Sequence, residues 1–274
     1  MATLVGMSIP IPRDPDVDLS SVPRHWLAGN AAATAISNGI NMLFPAGERF
    51  FVRSVKRYLE RIPEGELREQ VKAFFKQEGK HASAHDDFND VLLQHGFKIE
   101  RFLDRYQAMS RWLEDRLPGK LNLAGTAAAE HFTAILADGA FSKGILDALH
   151  PEMQKLLAWH AAEEIEHKAV AFDVLSLVDD SYALRIAGLA YATVMLGMFW
   201  AWATAMLLRQ ERMGLRATLR ELAKMRAEDP IIRRVFLRGI RQYLRRDFHP
   251  RDNANERLAA QWFAAHGYPY TEAA

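Results

Sequence analysis

Glu78-Gly79-Lys80-His81, within QEGKHASAH (77–85), and Glu164-Ile165-Glu166-His167, within AAEEIEHKAVAFDV (161–174), decide how this chain is read. Each string sets a Glu and a His three residues apart in a stretch of helical character. At about 100° per residue, positions three apart share one helix face, so each pair can grip one metal ion. Two further glutamates stand where partner ligands are needed. Glu48, in PAGERFF, precedes Glu78 by 30 residues, and Glu130, in AAAEHFTA, precedes Glu164 by 34. The order Glu, Glu-x-x-His, Glu, Glu-x-x-His is the ligand pattern of a two-metal site inside a four-helix bundle.

Working outward, each Glu-x-x-His stripe gains a histidine. Glu78, His81 and His85 fall at i, i+3 and i+7; His160, Glu164 and His167 fall at i, i+4 and i+7. His85 and His160 are thus candidates for extra ligands, for groups that support the ligands, or for core positions. Glu130 shares a face with Leu123, Thr126, Ala134, Ala137 and Phe141, and a lone Glu in so apolar a stripe is costly to bury without a partner. His131 points about 100° away from Glu130 and is not read as a ligand. Glu163, Glu164 and Glu166 form one acidic cluster, of which two are expected to face inward. Glu164 is chosen over Glu163 for its spacing to His167. Any one of these residues alone is ordinarily a solvated helix charge; the repetition of the pattern is what favours metal.

A chain of 274 residues, 49% apolar and 25% charged, reads as globular with a sizeable core. There is no cysteine, which excludes disulfides, thiolate sites and a Cys nucleophile. Mixed carboxylate and imidazole suits iron or manganese, and also zinc. Two iron ions are the expected cofactor, with manganese or zinc as alternatives. No Gly-x-Ser-x-Gly string supports a separate hydrolytic mechanism.

The expected fold is all-α, a ferritin-like four-helix bundle with additional C-terminal helices. An extended N-terminal arm (1–28) with no basic-then-apolar leader pattern precedes the bundle (29–180), and a C-terminal helical region (181–274) follows. Expected helices begin near Pro45, run from Gly65 to a cap at Gly96, from Glu100 to Leu117, from Leu121 to about Leu149, and from Pro151 to about Val178. Two hairpins, each a Glu helix followed by a Glu-x-x-His helix, bracket a connector.

Ile186–Leu208 carries no charge over 23 residues, about 34 Å of helix and enough to span a bilayer. Arg209, Arg212, Arg216 and Arg220 follow it and favour the cytoplasm, which would place the metal domain outside. A helix packed in the core or at an oligomer interface is therefore expected. Peripheral attachment to an anionic membrane through the basic stretch is compatible. No recognition motif accompanies that stretch, so nucleic acid is not expected as a partner. The expected location is the cytoplasm, with membrane association allowed. The basic helical stretch is expected to break near Asp229-Pro230, with a last short helix over Glu256–His266.

The four quoted motifs resemble a bacterial family known as "predicted metal-dependent hydrolase", over roughly 20–260. In spacing they also resemble the ferritin-like di-iron carboxylate superfamily, over roughly 31–179. The resemblance implies that Glu48, Glu78, His81, Glu130, Glu164 and His167 form the ligand set. The extra His85 and His160 depart from the minimal ferritin-like set and are similar to the His-enriched sites of some di-iron oxygenases, which argues against plain iron storage. The expected function is an O₂-dependent oxidase or oxygenase acting on a small apolar organic substrate. The alternatives are a metal-dependent hydrolase using a metal-activated water and a non-catalytic metal-binding protein. A homo-oligomer is compatible with all of these.

Overall fold

The computed structural model describes residues 9–142, 144–224 and 231–270. Among them the chain is all-α: α1 Ala31–Asn41, α2 Phe44–Lys56, α3 Glu66–Gln94, α4 Glu100–Arg116, α5 Gly119–Ser142, α6 Pro151–His167, α7 Val170–Val178, α8 Tyr182–Gln210, α9 Leu215–Lys224, α10 Ile231–Tyr243 and α11 Glu256–Ala265. The one β feature among the described residues is an isolated antiparallel bridge between Leu27 and Leu149. It ties the N-terminal segment to the α5–α6 connection.

Local chemistry sets the ends of these helices. The Asn30 side chain accepts from the Ala33 amide at 2.9 Å and caps α1. Pro45 and Pro151 sit in the first turns of α2 and α6, where a missing N–H costs nothing. After α3, Gly96 takes φ +82° and the Phe97 amide donates to the Leu92 carbonyl at 3.0 Å, a left-handed glycine cap. The Ser181 hydroxyl caps α8.

Two expected boundaries differ. The helix carrying Glu130 stops at Ser142 rather than near Leu149, because Gly144 adopts φ +64° and a short 3₁₀ turn, Ile145–Ala148, takes over. The helix carrying His167 does not run on to Val178; it is interrupted at Lys168-Ala169 before α7 starts. There the buried Lys168 ammonium reaches the Asn253 carbonyl, Asn255 and Glu256. The expected break near Asp229-Pro230 lies outside the described residues.

α2 packs on α3, and α5 packs on α6, α7 and α2. Along α3, Val71 and Phe74 belong to one apolar cluster with Leu123, Phe132, Val170 and Tyr243. Ala84, Phe88 and Leu92 belong to another with Trp26, Met153 and Trp159. Glu78, His81 and His85 fall between, so the polar side chains form a layer sandwiched by two apolar ones.

The α5–α8 contact is the most extensive between any two of the described helices, and α8 also packs against α1. Leu189, Ala192, Phe199, Ala203 and Leu207 form its buried side. The other side is open: Val194, Met198 and Trp202 are exposed, and 28% of its most apolar window is buried. The expectation of a helix packed against the bundle thus holds for one face only. By length and composition this helix could cross a membrane.

Candidate metal centre

α2 contributes Glu48, α3 Glu78, His81 and His85, α5 Glu130, and α6 His160, Glu164 and His167. All eight side chains are buried, each at 4% exposure or less. Helical spacing puts them there: residues seven apart return to nearly the same angle, so each stripe lies on one buried face of its helix.

The groups form overlapping triads whose ligand-type atoms lie within 4.8 Å of one another. Glu78, Glu130 and His167 make one end. Glu48, His85 and His160 make the other. Glu48–Glu78–His81 and His81–His160–Glu164 join them. His167 Nε2 lies 3.1 Å from Glu78 Oε1, 3.3 Å from Glu130 Oε2 and 3.5 Å from Glu164 Oε2. His160 Nε2 lies 2.9 Å from Glu164 Oε1 and 3.6 Å from Glu48 Oε1. Both oxygens of Glu48, Glu78 and Glu130, together with His81 Nδ1 and His167 Nε2, are buried with no aligned hydrogen bond. Buried polar atoms are ordinarily bonded, so a converging set of this kind has the chemistry of a cation site. The donors are all oxygen and nitrogen, which suits iron, manganese or zinc.

Electrostatics tell the same story. Burial raises the Glu48 carboxyl well above its usual range, and Glu78 and Glu164 beside it add to the rise. Burial, Glu78 and Glu164 push Glu130 up to about 8. Burial opposes charge on His81, but Glu163 and Glu78 outweigh it and hold the imidazole at about 10. Burial likewise opposes charge on His167, which Glu164, Glu130 and Glu78 raise well above its ordinary value. Burial would raise Glu164 and Glu78, yet the histidines hold both below the ordinary range. Burial and neighbouring imidazoles lower His85 and His160. Without a cation, protons on Glu48, Glu130, His81 and His167 balance the charge, and divalent ions would take their place.

The groups that orient the imidazoles were not legible from spacing. His81 Nε2 faces Glu163 Oε2 at 3.0 Å, leaving Nδ1 toward the centre. His167 Nδ1 faces Gln77 Oε1 at 2.9 Å, leaving Nε2 toward the centre. Gln77 Nε2 in turn donates to Glu166 Oε2 at 2.7 Å. Arg13 holds both acids: its backbone amide donates to Glu163 Oε1 at 2.9 Å, and its guanidinium to Glu166 Oε2 at 2.9 Å and Oε1 at 3.0 Å. All three glutamates of the acidic cluster therefore have buried carboxylates, not two as expected, because a buried arginine compensates the extra charge. The Thr133 hydroxyl bonds Glu164 Oε2. His85 Nε2 meets His160 Nδ1 at 2.7 Å, and the Phe44 ring covers both. His131 turns away as expected and bonds the Gly239 carbonyl at 2.9 Å.

Two apolar cavities reach this layer. One, about 910 Å³ with its mouth, lies among α2, α4, α5 and α8 and touches Glu48 and Thr133. The other, about 1130 Å³ with its mouth, lies among α1, α5, α6 and the 3₁₀ turn and touches His160 and Glu164.

The model of the family described as "predicted metal-dependent hydrolase" matches residues 11–254, and the chain belongs to that family. No curated protein and no solved structure matches.

Proposed function

We propose that the chain is a two-metal enzyme acting on an apolar organic substrate, with a ferritin-like dinuclear centre that holds iron and consumes O₂. The observation that carries the metal centre is the set of four overlapping Glu/His triads in a buried layer. Glu78, Glu130 and His167 would hold one ion, and Glu48, His85 and His160 the other, with His81 between them. Glu164 lies beside His167 and His160, and Glu78 beside His167 and in one group with Glu48, so both could serve either ion. Iron held in this way supplies O₂ activation. The chain's own residues do the rest. Glu163 and Gln77 fix the two imidazoles, Thr133 steadies Glu164, and the apolar walls around Phe44 and Leu136 exclude water. Deep burial, four imidazoles and predominantly apolar walls support oxidation of an apolar compound over cleavage of a polar one.

A second reading, hydrolysis by a water that the metals activate, is supported by the description of the family to which the chain belongs. That membership favours metal-dependent hydrolysis over oxidation; the site's surroundings favour the reverse. Protein purified without added metal would be analysed for metal, reduced without air and mixed with O₂. The redox reading expects about two iron ions per chain, a ferric absorption after mixing, and O₂ uptake stimulated by apolar compounds. Equal turnover without air, with zinc in place of iron, would overturn it in favour of hydrolysis.

A further inference from the structure

We propose that the two apolar cavities are halves of one binding site for an unbranched aliphatic chain, such as a fatty acid, which lies along α5 and passes the metal layer at Phe44 and Thr133. The proposal deepens the reading of the centre as a metal enzyme and names its substrate class.

The cavities line consecutive parts of one α5 stripe. Gly125, Ala129, Thr133 and Leu136 face the first; Thr133, Leu136 and Ala140 face the second. These positions are spaced by three or four residues and so share a helix face. Gly125 to Ala140 is about 22 Å of helix, longer than the ~15 Å that acyl chains span in one leaflet, half of a ~30 Å bilayer core. Both cavities are lined by Ile40, Phe44, Thr133 and Leu136, so they abut at these four residues, and a ligand spanning both would pass between them as through a neck. A slender chain needs less displacement of these side chains than a fused-ring compound does. At the neck lie the groups that matter chemically. Phe44 packs on His85 and His160, Thr133 bonds Glu164, and both carboxylate oxygens of Glu48, in the wall of the first cavity, have no hydrogen-bond partner. Elsewhere the walls are predominantly alkyl or aromatic. They can hold methylene groups but offer little to a polyhydroxylated or highly charged ligand. A chain filling both halves therefore places an interior carbon, not its end, beside the centre.

The test uses the full-length metal-free protein and saturated fatty acids from octanoate to stearate, with affinities read by calorimetry. Affinity should rise about fourfold per methylene until the cavities are filled. Leu136→Trp at the neck should weaken binding of the long chains about tenfold or more, since it costs the contacts of several methylenes. Ala129→Trp and Ala140→Trp, in opposite halves, should each shift the optimum to shorter chains. Ala201→Trp, on the exposed side of α8, should change nothing. A flat length dependence, an optimum already reached at octanoate, or an optimum unmoved by both end variants would overturn the proposal. The wild-type length series decides it alone if a variant does not fold. Metal content of the same proteins separates the two readings. Metal uptake without chain binding sinks this proposal alone, and chain binding without metal uptake sinks the metal-centre reading alone.

Discussion

Arg13 and Glu163 are joined twice, through the Arg13 backbone amide at 2.9 Å and its guanidinium at 3.3 Å, while the second oxygen of Glu163 holds His81. The same guanidinium grips Glu166 and lies 3.6 Å from the centre of the Phe263 ring, and it donates to the Pro269 carbonyl at 2.7 Å. One arginine near the N-terminus thereby ties α6, α11 and the following segment to His81, through Glu163, and to His167, through Glu166 and Gln77. Arg13→Met removes the guanidinium that two buried carboxylates share and should cost about 3–5 kcal/mol of stability. It should also lower metal affinity by about 10–100-fold, because the groups that orient the imidazoles lose their anchor. Arg13→Lys restores the charge without the fork and should recover only part of both. Denaturant unfolding and metal titration check this; parental values in Arg13→Met would refute it.

Glu130→Gln separates ligand from structural roles. Burial and carboxylate neighbours keep Glu130 up at about 8, so it is largely protonated at neutral pH when metal is absent. An amide of the same shape should then change metal-free stability by no more than about 1 kcal/mol. A neutral amide is a poor ligand, so metal content should fall by at least one ion per chain, and His167→Gln should do the same. Unchanged metal content in both variants would remove them from the ligand set.

Six of the eight centre-facing positions are legible in the sequence because helix geometry relates i, i+3 or i+4, and i+7; Glu48 and Glu130 are legible from their matched separations from the two Glu-x-x-His strings. Arg13 and Gln77 could not. Arg13 acts on residues 150 or more positions away, and no periodicity connects an irregular segment to a helix face. Glu163 shares a helix face with His167 but lacks the three-residue Glu-x-x-His spacing; it turns to His81 on α3, a relation visible only once α3 and α6 pack. The signal in the sequence is the excess charge of the 163–166 cluster, whose burial calls for a cation partner. The end of α5 is not legible, because the apolar pattern continues through Leu146 and Leu149 while Gly144 turns the chain. For α8, composition established an apolar helix, but the packing of its neighbours determines which side is covered.

His131 should make the fold acid-sensitive. Its ring is packed against Tyr243 and Phe248, and burial lowers it to about 4 from an ordinary 6.5. Between these values the unfolded chain binds the proton and the folded chain does not. Stability contributed by the neutral ring is therefore intact above pH about 6.5 and falls as pH drops toward 4, by about 3 kcal/mol in all. His131→Phe removes the titration and should flatten this part of the profile, whatever its baseline. Parallel stability–pH curves for the two proteins over that window would contradict the assignment.

The α5–α8 crossing makes opposite predictions for two glycines on one helix. At Gly188 an added Cβ would lie 2.4 Å from the Ala124 backbone carbon and oxygen, which cannot yield without separating the helices. Gly188→Ala should therefore cost about 1–3 kcal/mol. At Gly197, on the exposed side, nothing lies within 4 Å, and removing a helix-interior glycine should stabilise by about 0.5–1 kcal/mol. If α8 were held only by an external layer and not by the bundle, both substitutions would act through helix propensity alone and both would stabilise. Unfolding midpoints of the two variants distinguish the cases. A stabilising Gly188→Ala would detach α8 from the fold and, with it, the wall that Tyr191, Met195 and Phe199 provide to the first cavity.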